Sequence, residues 1–483
     1  MDNTKDVIRL YFMIAVSVAF VYFTPTTITN FYFLVLLFAF FNSKKEYFWF
    51  ALVFIFIERP GGLFTNRLVE SGSRLPFFRV ASGFSITFED LFILLALLKA
   101  VQKGIRPKLF FRRSLRNFLI FFVILFIFSF TIGMSIDSSL RSIRNILPYT
   151  LFVSFPILIY NREKFVRFSY LIYSILFLVL ISQLFQLSTG GKLVSLFGPA
   201  EESALRMDVS MRLIDASFIS LFSLITSLFF LATREDYFNR RFLQIIAIIS
   251  YLSVFLTATR GWIIAYSIIF IFFIISSPNK KKLFPSLILP VLIVVIVFSS
   301  VPILRSQVDR VYTRIKTLEK LAEGDATAGG TLSRLTERGP RVMKKFRESP
   351  ILGWGFSDEK LKYTDEHVGN QNILLSTGIV GYGLFLIFWL RFLFVIYSNQ
   401  RKLSRANSYK KALSILLYAF IGIFIIHSTS TQLFGLDIMS YYLNKAFFLV
   451  FFFVMTDLFL KEALAEEQEM ANNNSGILVI NKN

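Results

Sequence analysis

The chain has 483 residues, 55% of them hydrophobic and 60 of them Phe, with a formal net charge of +21. That much apolar side chain exceeds what a soluble core buries, so a polytopic membrane protein is indicated, with the positive charge serving anionic lipid and sidedness rather than nucleic acid. There is no Cys and there are only two His, which excludes disulfides, thiolate and iron–sulfur sites and cysteine nucleophiles, and leaves a multi-histidine metal site without ligands.

The first apolar run, Ile8 to Thr24, lacks a small-residue cleavage site and reads as a retained first helix rather than a signal peptide. Further runs at 28–41, 47–57, 88–101, 117–133, 146–160, 165–187, 213–233, 242–258, 261–277, 283–304, 372–397, 411–427 and 441–460 complete a set of candidate spans. The runs at 47–57 and 88–101 are short against the ~20 residues a span needs. The expected fold is therefore all-α, with about twelve to fourteen transmembrane helices and one long helical outward loop. It divides into helices over 1–304, the loop 305–371, C-terminal helices over 372–460 and a polar tail over 461–483.

Lys and Arg in the connections set the orientation. "NSKKE", "KAVQKGIRPKLFFRRSLR", "NREKFVR", "REDYFNRR", "PNKKK" and "QRKLSRANSYKK" alternate with less basic connections. The basic set is expected to be cytoplasmic, together with both termini. The outward connections outside 305–371 carry Arg59, Arg67, Arg74, Arg79, Arg141, Arg144, Arg206, Arg212 and Arg260 but a single lysine, Lys192. A planar fork that grips phosphate bidentately favours Arg, so the bias as a set points to an anionic ligand outside. Any one of these residues has a simpler reading as a snorkelling or locally paired side chain.

The loop 305–371 is too long for a simple connection. Val308, Val311, Ile315, Leu318 and Leu321 recur at helical spacing and predict an amphipathic helix on the membrane. Leu335, Val342, Met343 and Phe346 predict a second helical stretch that restarts at Gly339-Pro340, followed by the turn-rich "ESPILGWG". Of the two histidines, His427 closes an apolar helix and reads as a satisfied structural residue. His367 lies in "KYTDEHVGN" at the foot of the next helix.

"TATRGW" in a helical hairpin, "SRLTERGPRVMKKFRESPILGWG" in a long outward loop and "STGIVGYG" after His367 occur in that order. Over about 253–385 the chain resembles the O-antigen ligase and O-antigen polymerase superfamily of bacterial membrane glycosyltransferases. The family's Ser-Arg-Gly corresponds to Thr259-Arg260-Gly261, its Pro-x-x-Gly-x-Gly to Pro350, Gly353 and Gly355, and its loop histidine to His367, eleven residues before Gly378 (378 − 367). The loop arginine falls on Arg334, with Arg338 close behind and Arg341 also open, because Gly339-Pro340 interrupts the helix the family carries there. Val368 stands where the family often has Asn.

The resemblance implies transfer of a glycan from a polyprenyl diphosphate carrier to an acceptor, at the outer face of the bacterial inner membrane. It implies Arg260, Arg334, Arg338 and Arg212 around the diphosphate and His367 as the group that steers or accepts the acceptor proton. It also implies no cofactor, no metal and inversion at the anomeric carbon. The acceptor stays open among a growing glycan (polymerase), lipid A–core (ligase) and a protein hydroxyl (oligosaccharyltransferase), in lipopolysaccharide or other surface polysaccharide biosynthesis. A lipid-linked oligosaccharide flippase or other transporter is the main rival, but it does not require a 67-residue outward loop (371 − 305 + 1) with one histidine, and it usually shows repeat symmetry. A scaffolding protein leaves Arg260 at membrane depth unexplained.

Overall fold

The computed structural model describes residues 4–64, 76–81, 84–104, 107–197, 216–257, 259–276, 334–365, 367–433 and 443–480, with isolated positions between 305 and 316. The candidate span at 283–304 and the expected helix over 308–321 lie outside the described residues, the latter apart from isolated helical positions.

Helices dominate. In chain order they are α1 (Thr4–Phe23), α2 (Thr26–Asn42), α3 (Glu46–Glu58), α4 (Phe88–Lys103), α5 (Arg112–Thr131), α6 (Ile136–Ile146), α7 (Leu151–Ile159), α8 (Arg162–Thr189), α9 (Ser217–Ala232), α10 (Arg240–Leu256), α11 (Arg260–Ser276), α12 (Gly339–Phe346), α13 (Asp358–Tyr363), α14 (Gly369–Lys402), α15 (Lys410–Thr429) and α16 (Leu443–Ile480). Among the described residues α1, α5, the continuous run through α6 and α7, α8, α14, α15 and α16 are long and apolar enough to cross a membrane. Several of these present large apolar side chains outward, among them Phe12, Ile124, Ile127, Leu390 and Phe394. Such exposure is favourable only against lipid.

The bundle is built around α16, which is buried along its apolar length. Lipid tails are as apolar as Leu, so helix association rests on packing rather than on expulsion of water. The many Phe residues supply that packing. Phe451 of α16 meets Phe54 of α3 at 5.2 Å, Phe155 of α7 at 4.7 Å and Phe168 of α8 at 4.7 Å between ring centroids. Two of these contacts are edge-to-face, a geometry that adds about 0.5–1.5 kcal/mol per pair beyond area burial. The short run at 47–57 is explained here: α3 is apolar all round because it is buried all round.

Two opposite ends of the bundle emerge. At one, Lys45 pairs with Asp6 at 2.7 Å, Glu46 takes Lys103 at 2.6 Å and Lys164 at 3.2 Å, and Arg234 donates to the Ala406 carbonyl. The first turn of α1 and the Glu466–Glu467 stretch of α16 are there. At the other end Glu58 accepts from the Phe218 N–H at 2.9 Å, and Arg144 pairs with Asp90 at 2.9 Å.

Three features differ from expectation. A two-stranded antiparallel hairpin, β1 (Pro76–Ala81) with β2 (Phe84–Thr87), interrupts the otherwise helical chain. The span expected at 146–160 begins earlier, because Ser135 caps the amphipathic helix α6 ahead of it. The expected tail at 461–483 is largely helical: "KEALAEEQEMA" holds strong helix formers and no Gly or Pro, so α16 simply continues. Its Glu466 and Glu467 accept hydrogen bonds from the Ser408 and Ser404 backbone N–H groups.

Candidate active site

The platform of the site is a break in α14. Gly378 has φ 63° and ψ −170°, a conformation open essentially to Gly alone. The break frees two carbonyls and two N–H groups, and the "PILGWG" turn takes all four. Trp354 N–H donates to Leu375 O and Gly355 N–H to Ser376 O, both at 2.8 Å. In return Ile379 N–H donates to Pro350 O at 2.9 Å and Val380 N–H to Ile351 O at 3.2 Å. A Cβ on Gly353 would lie 2.6 Å from the Gly378 nitrogen, so backbone meets backbone here without side chains between. The Pro-x-x-Gly-x-Gly motif is thus a clamp that docks the loop on the broken helix.

A second set of bonds fixes the loop to α5 and α6. Phe356 N–H donates to Ser129 Oγ at 2.8 Å, and Asp358 accepts from the hydroxyls of Ser135, at 3.0 Å, and Ser138. Burial alone would raise the Asp358 carboxyl, but the serine hydroxyls outweigh it and hold it below its ordinary value.

The histidine follows. Asp365 Oδ1 accepts the His367 backbone N–H at 3.0 Å, an Asx-type turn that sets the approach to α14. Asn372 locks this turn by accepting from Asp365 N–H at 3.1 Å and donating to Gln432 Oε1 at 2.8 Å. His367 Nδ1 lies 3.2 Å from the Ser430 carbonyl, just past α15. A carbonyl only accepts, so Nδ1 carries the proton and Nε2 is the basic nitrogen of the neutral ring. Val368, in place of the family's Asn, is buried with Val342, Phe346 and Leu375 and staples α12 to α14.

Helix α12 brings in the arginines. Arg338 Nη1 and Arg341 Nη2 each approach Asp365 at 3.5 Å. Their side chains remain 40% and 53% exposed, whereas that of Asp365 is 11% exposed. One carboxylate is shared by two guanidinium groups, so neither is fully neutralised by it. Glu337, Arg338, Arg341, Thr364, Asp365 and His367 line a cleft of about 610 Å³. It gathers two arginines, the Asp365 carboxylate that holds them, a second carboxylate on Glu337 and a histidine of defined tautomer.

Arg260 opens α11. A Cβ on the adjacent Gly261 would fall 2.5 Å from Thr429 Oγ1 and 3.0 Å from Ser430 Cβ. Ser430 therefore touches both the helix that Arg260 begins and the His367 ring. Arg260 itself is not among the cleft-lining residues. Arg334 begins a π-helical turn, Arg334–Arg338, that leads into α12, and its side chain lies outside the described residues, as does all of Arg212.

The arginines expected to face outward do not act as one set. Arg144 is paired with Asp90, and Arg59 lies 3.9 Å from Glu89, so these two are balanced by carboxylates at the start of α4. His427 is fully buried, and its Nδ1 accepts the Leu433 N–H at 3.0 Å, the opposite tautomer to His367. Its role is to hold the turn that carries Ser430. Asp365 is the site residue that sequence reasoning missed.

Residues 245–386, from within α10 to within α14, match the family model described as O-antigen ligase. This segment belongs to the O-antigen ligase superfamily. The ligase-family segment contains the Arg260 helix start, the loop clamp, Asp365, His367 and the Gly378 break. Together with the apolar helices, the match supports a multi-pass membrane protein with a role in surface-polysaccharide glycan transfer. No curated protein matches the chain.

Proposed function

We propose that the protein transfers a glycan from a polyprenyl diphosphate carrier to an acceptor hydroxyl, with the His367 cleft as its active site at the outer face of the bacterial inner membrane and both termini cytoplasmic. The observation that carries this reading is the cleft itself: a histidine with Nε2 basic, beside two half-exposed arginines that share one carboxylate.

In this mechanism the acceptor oxygen attacks the anomeric carbon as the bond from that carbon to the diphosphate oxygen breaks. Nε2 of His367 takes the hydroxyl proton, and the electron pair of the broken bond leaves with the diphosphate. Arg338 and Arg341 hold the departing charge, and Arg260, Arg334 and Arg212 are proposed to complete the clamp. Fixed guanidinium groups aimed at developing charge stabilise the transition state without reorganising, and general-base help adds roughly 10²–10⁴-fold. Attack opposite the leaving group inverts the anomeric carbon. The isoprenoid tail has a chemically suitable place in the apolar crevice between α5 and the α14–α16 wall, lined by Phe118, Phe122, Tyr149, Phe385 and Phe453. Arginine takes the part that a divalent ion plays elsewhere, so the reaction is proposed to be metal-independent.

Deletion of the protein, followed by gel analysis of surface glycan, tests the reading. Long chains that stay on the carrier and are missing from lipid A–core identify a ligase. A single repeat unit on the core identifies a polymerase, and loss of glycan from a protein identifies an oligosaccharyltransferase. Unchanged surface glycan refutes the proposal.

A further inference from the structure

We propose that the water-facing side of α12 is a docking track for a negatively charged acceptor glycan, leading into the His367 cleft. This rests on the glycan-transfer reading and adds to it the chemical class of the acceptor.

Part of the positive charge on α12 is already balanced. Within "RGPRVMKKFR" five side chains are cationic. Lys345 is buried, 3.9 Å above the Trp354 ring, and pairs with Glu348 at 2.7 Å and Glu359 at 3.3 Å. It therefore takes up Glu348 and Glu359, while Asp365 is held by Arg338 and Arg341. Glu359 is further held by Lys362 at 2.7 Å. Lys344 and Arg347 are exposed, and their side chains make no ion pair or hydrogen bond among the described residues. Arg341, Lys344 and Arg347 lie at successive i+3 positions, a run of about 9 Å along the helix. The first of them lines the cleft. The track is thus continuous with the site and is cationic beyond what the described residues neutralise.

Lipid is a poor fit for this surface. The apolar residues of α12, Val342 and Phe346 buried and Met343 partly so, pack in one cluster with Leu375 of α14. No large hydrophobic side chain of α12 is exposed. By contrast, α6 exposes Ile136 and Ile143, as a helix seated in the interface does. What remains for α12 is a polar, negatively charged chain in water, reached from the side on which His367 meets the acceptor.

The test uses the full-length protein in phosphatidylcholine nanodiscs, with labelled hexagalacturonate as the charged probe and maltohexaose as its neutral counterpart. Hexagalacturonate is expected to bind and maltohexaose not to. The double variant Lys344→Gln/Arg347→Gln should weaken hexagalacturonate binding by roughly tenfold, the scale of two exposed charge contacts. Salt near 0.5 M should weaken the wild type likewise. Lys344→Arg/Arg347→Lys should retain binding, which separates charge from folding. Unchanged binding in the Gln variant overturns the proposal. So does a Gln variant that loses only its association with phosphatidylglycerol, since that assigns the track to the membrane. His367→Ala should still bind the probe while losing transfer. Transfer retained in that variant refutes the catalytic reading and leaves the docking result standing.

Discussion

Gly378→Ala isolates the clamp between loop and broken helix. At φ 63° and ψ −170° an L-residue carries strain of about 1–3 kcal/mol. The new Cβ would also collide with the Ile351 backbone, from which Gly378 cannot retreat without opening the clamp. Four backbone hydrogen bonds depend on that contact, each with a net contribution of about 1 kcal/mol. Roughly 5 kcal/mol is therefore at stake, and even half of it moves a docking equilibrium by more than tenfold. The bundle core does not pass through this contact, so the variant should insert and accumulate while its loop undocks. Added protease in spheroplasts should then cut between 334 and 365, and surface glycan should be lost. Gly383→Ala is the control, since a Cβ there meets nothing within 4 Å in the same helix. If Gly378→Ala matches Gly383→Ala in protease resistance and in glycan, the clamp is not what holds the site.

Arg260→Lys should lower transfer about a hundredfold if the guanidinium fork grips diphosphate; near-normal glycan at matched protein level removes Arg260 from the site. His367→Ala should greatly reduce turnover of purified enzyme while leaving donor affinity nearly intact. His427→Ala orphans the Leu433 N–H and should cost about 1–3 kcal/mol of stability, seen as a lower melting temperature, with turnover per folded molecule largely kept. An impermeant thiol reagent should label Lys362→Cys and spare Arg405→Cys in intact spheroplasts; the reverse pattern would put the cleft on the cytoplasmic side. Excess chelator should leave purified enzyme active, and activity that returns only with magnesium or manganese would refute the metal-independent mechanism.

Much of the bundle is legible in the sequence because a bilayer imposes a length on apolar runs. Runs such as 165–187 and 411–427 became α8 and α15 with small shifts at their ends. Non-local pairing is harder to see. Arg59 and Arg144 look like members of an anion-binding set until Glu89 and Asp90, hidden at the start of an apolar helix, are brought beside them. The motif from Pro350 to Gly355 is visible as a pattern, but its function depends on Gly378, whose backbone twist no local pattern announces. Asp365 looks like one charge among several in "KYTDEHVGN". An Asp two residues before His367 is an Asx-turn signal that could have singled it out. The opposite tautomers of His367 and His427 depend on which backbone group each ring meets, and so on tertiary structure alone.

The bond from His367 to Ser430 spans 63 residues of chain and has a consequence for biogenesis. A membrane protein is made from its N-terminus, and its parts fold as they emerge. When the loop is first exported, α5 and α6 are already in place, so Asp358 can find Ser135 and Ser138. The Gly378 clamp forms next, with the insertion of α14. Only when α15 has crossed does the Ser430 carbonyl arrive to fix the histidine tautomer. On the proposed mechanism the nascent chain stays inactive until nearly all of its helices are in the membrane. A ribosome-stalled chain ending before α15 should hold a docked, protease-resistant loop and yet transfer nothing.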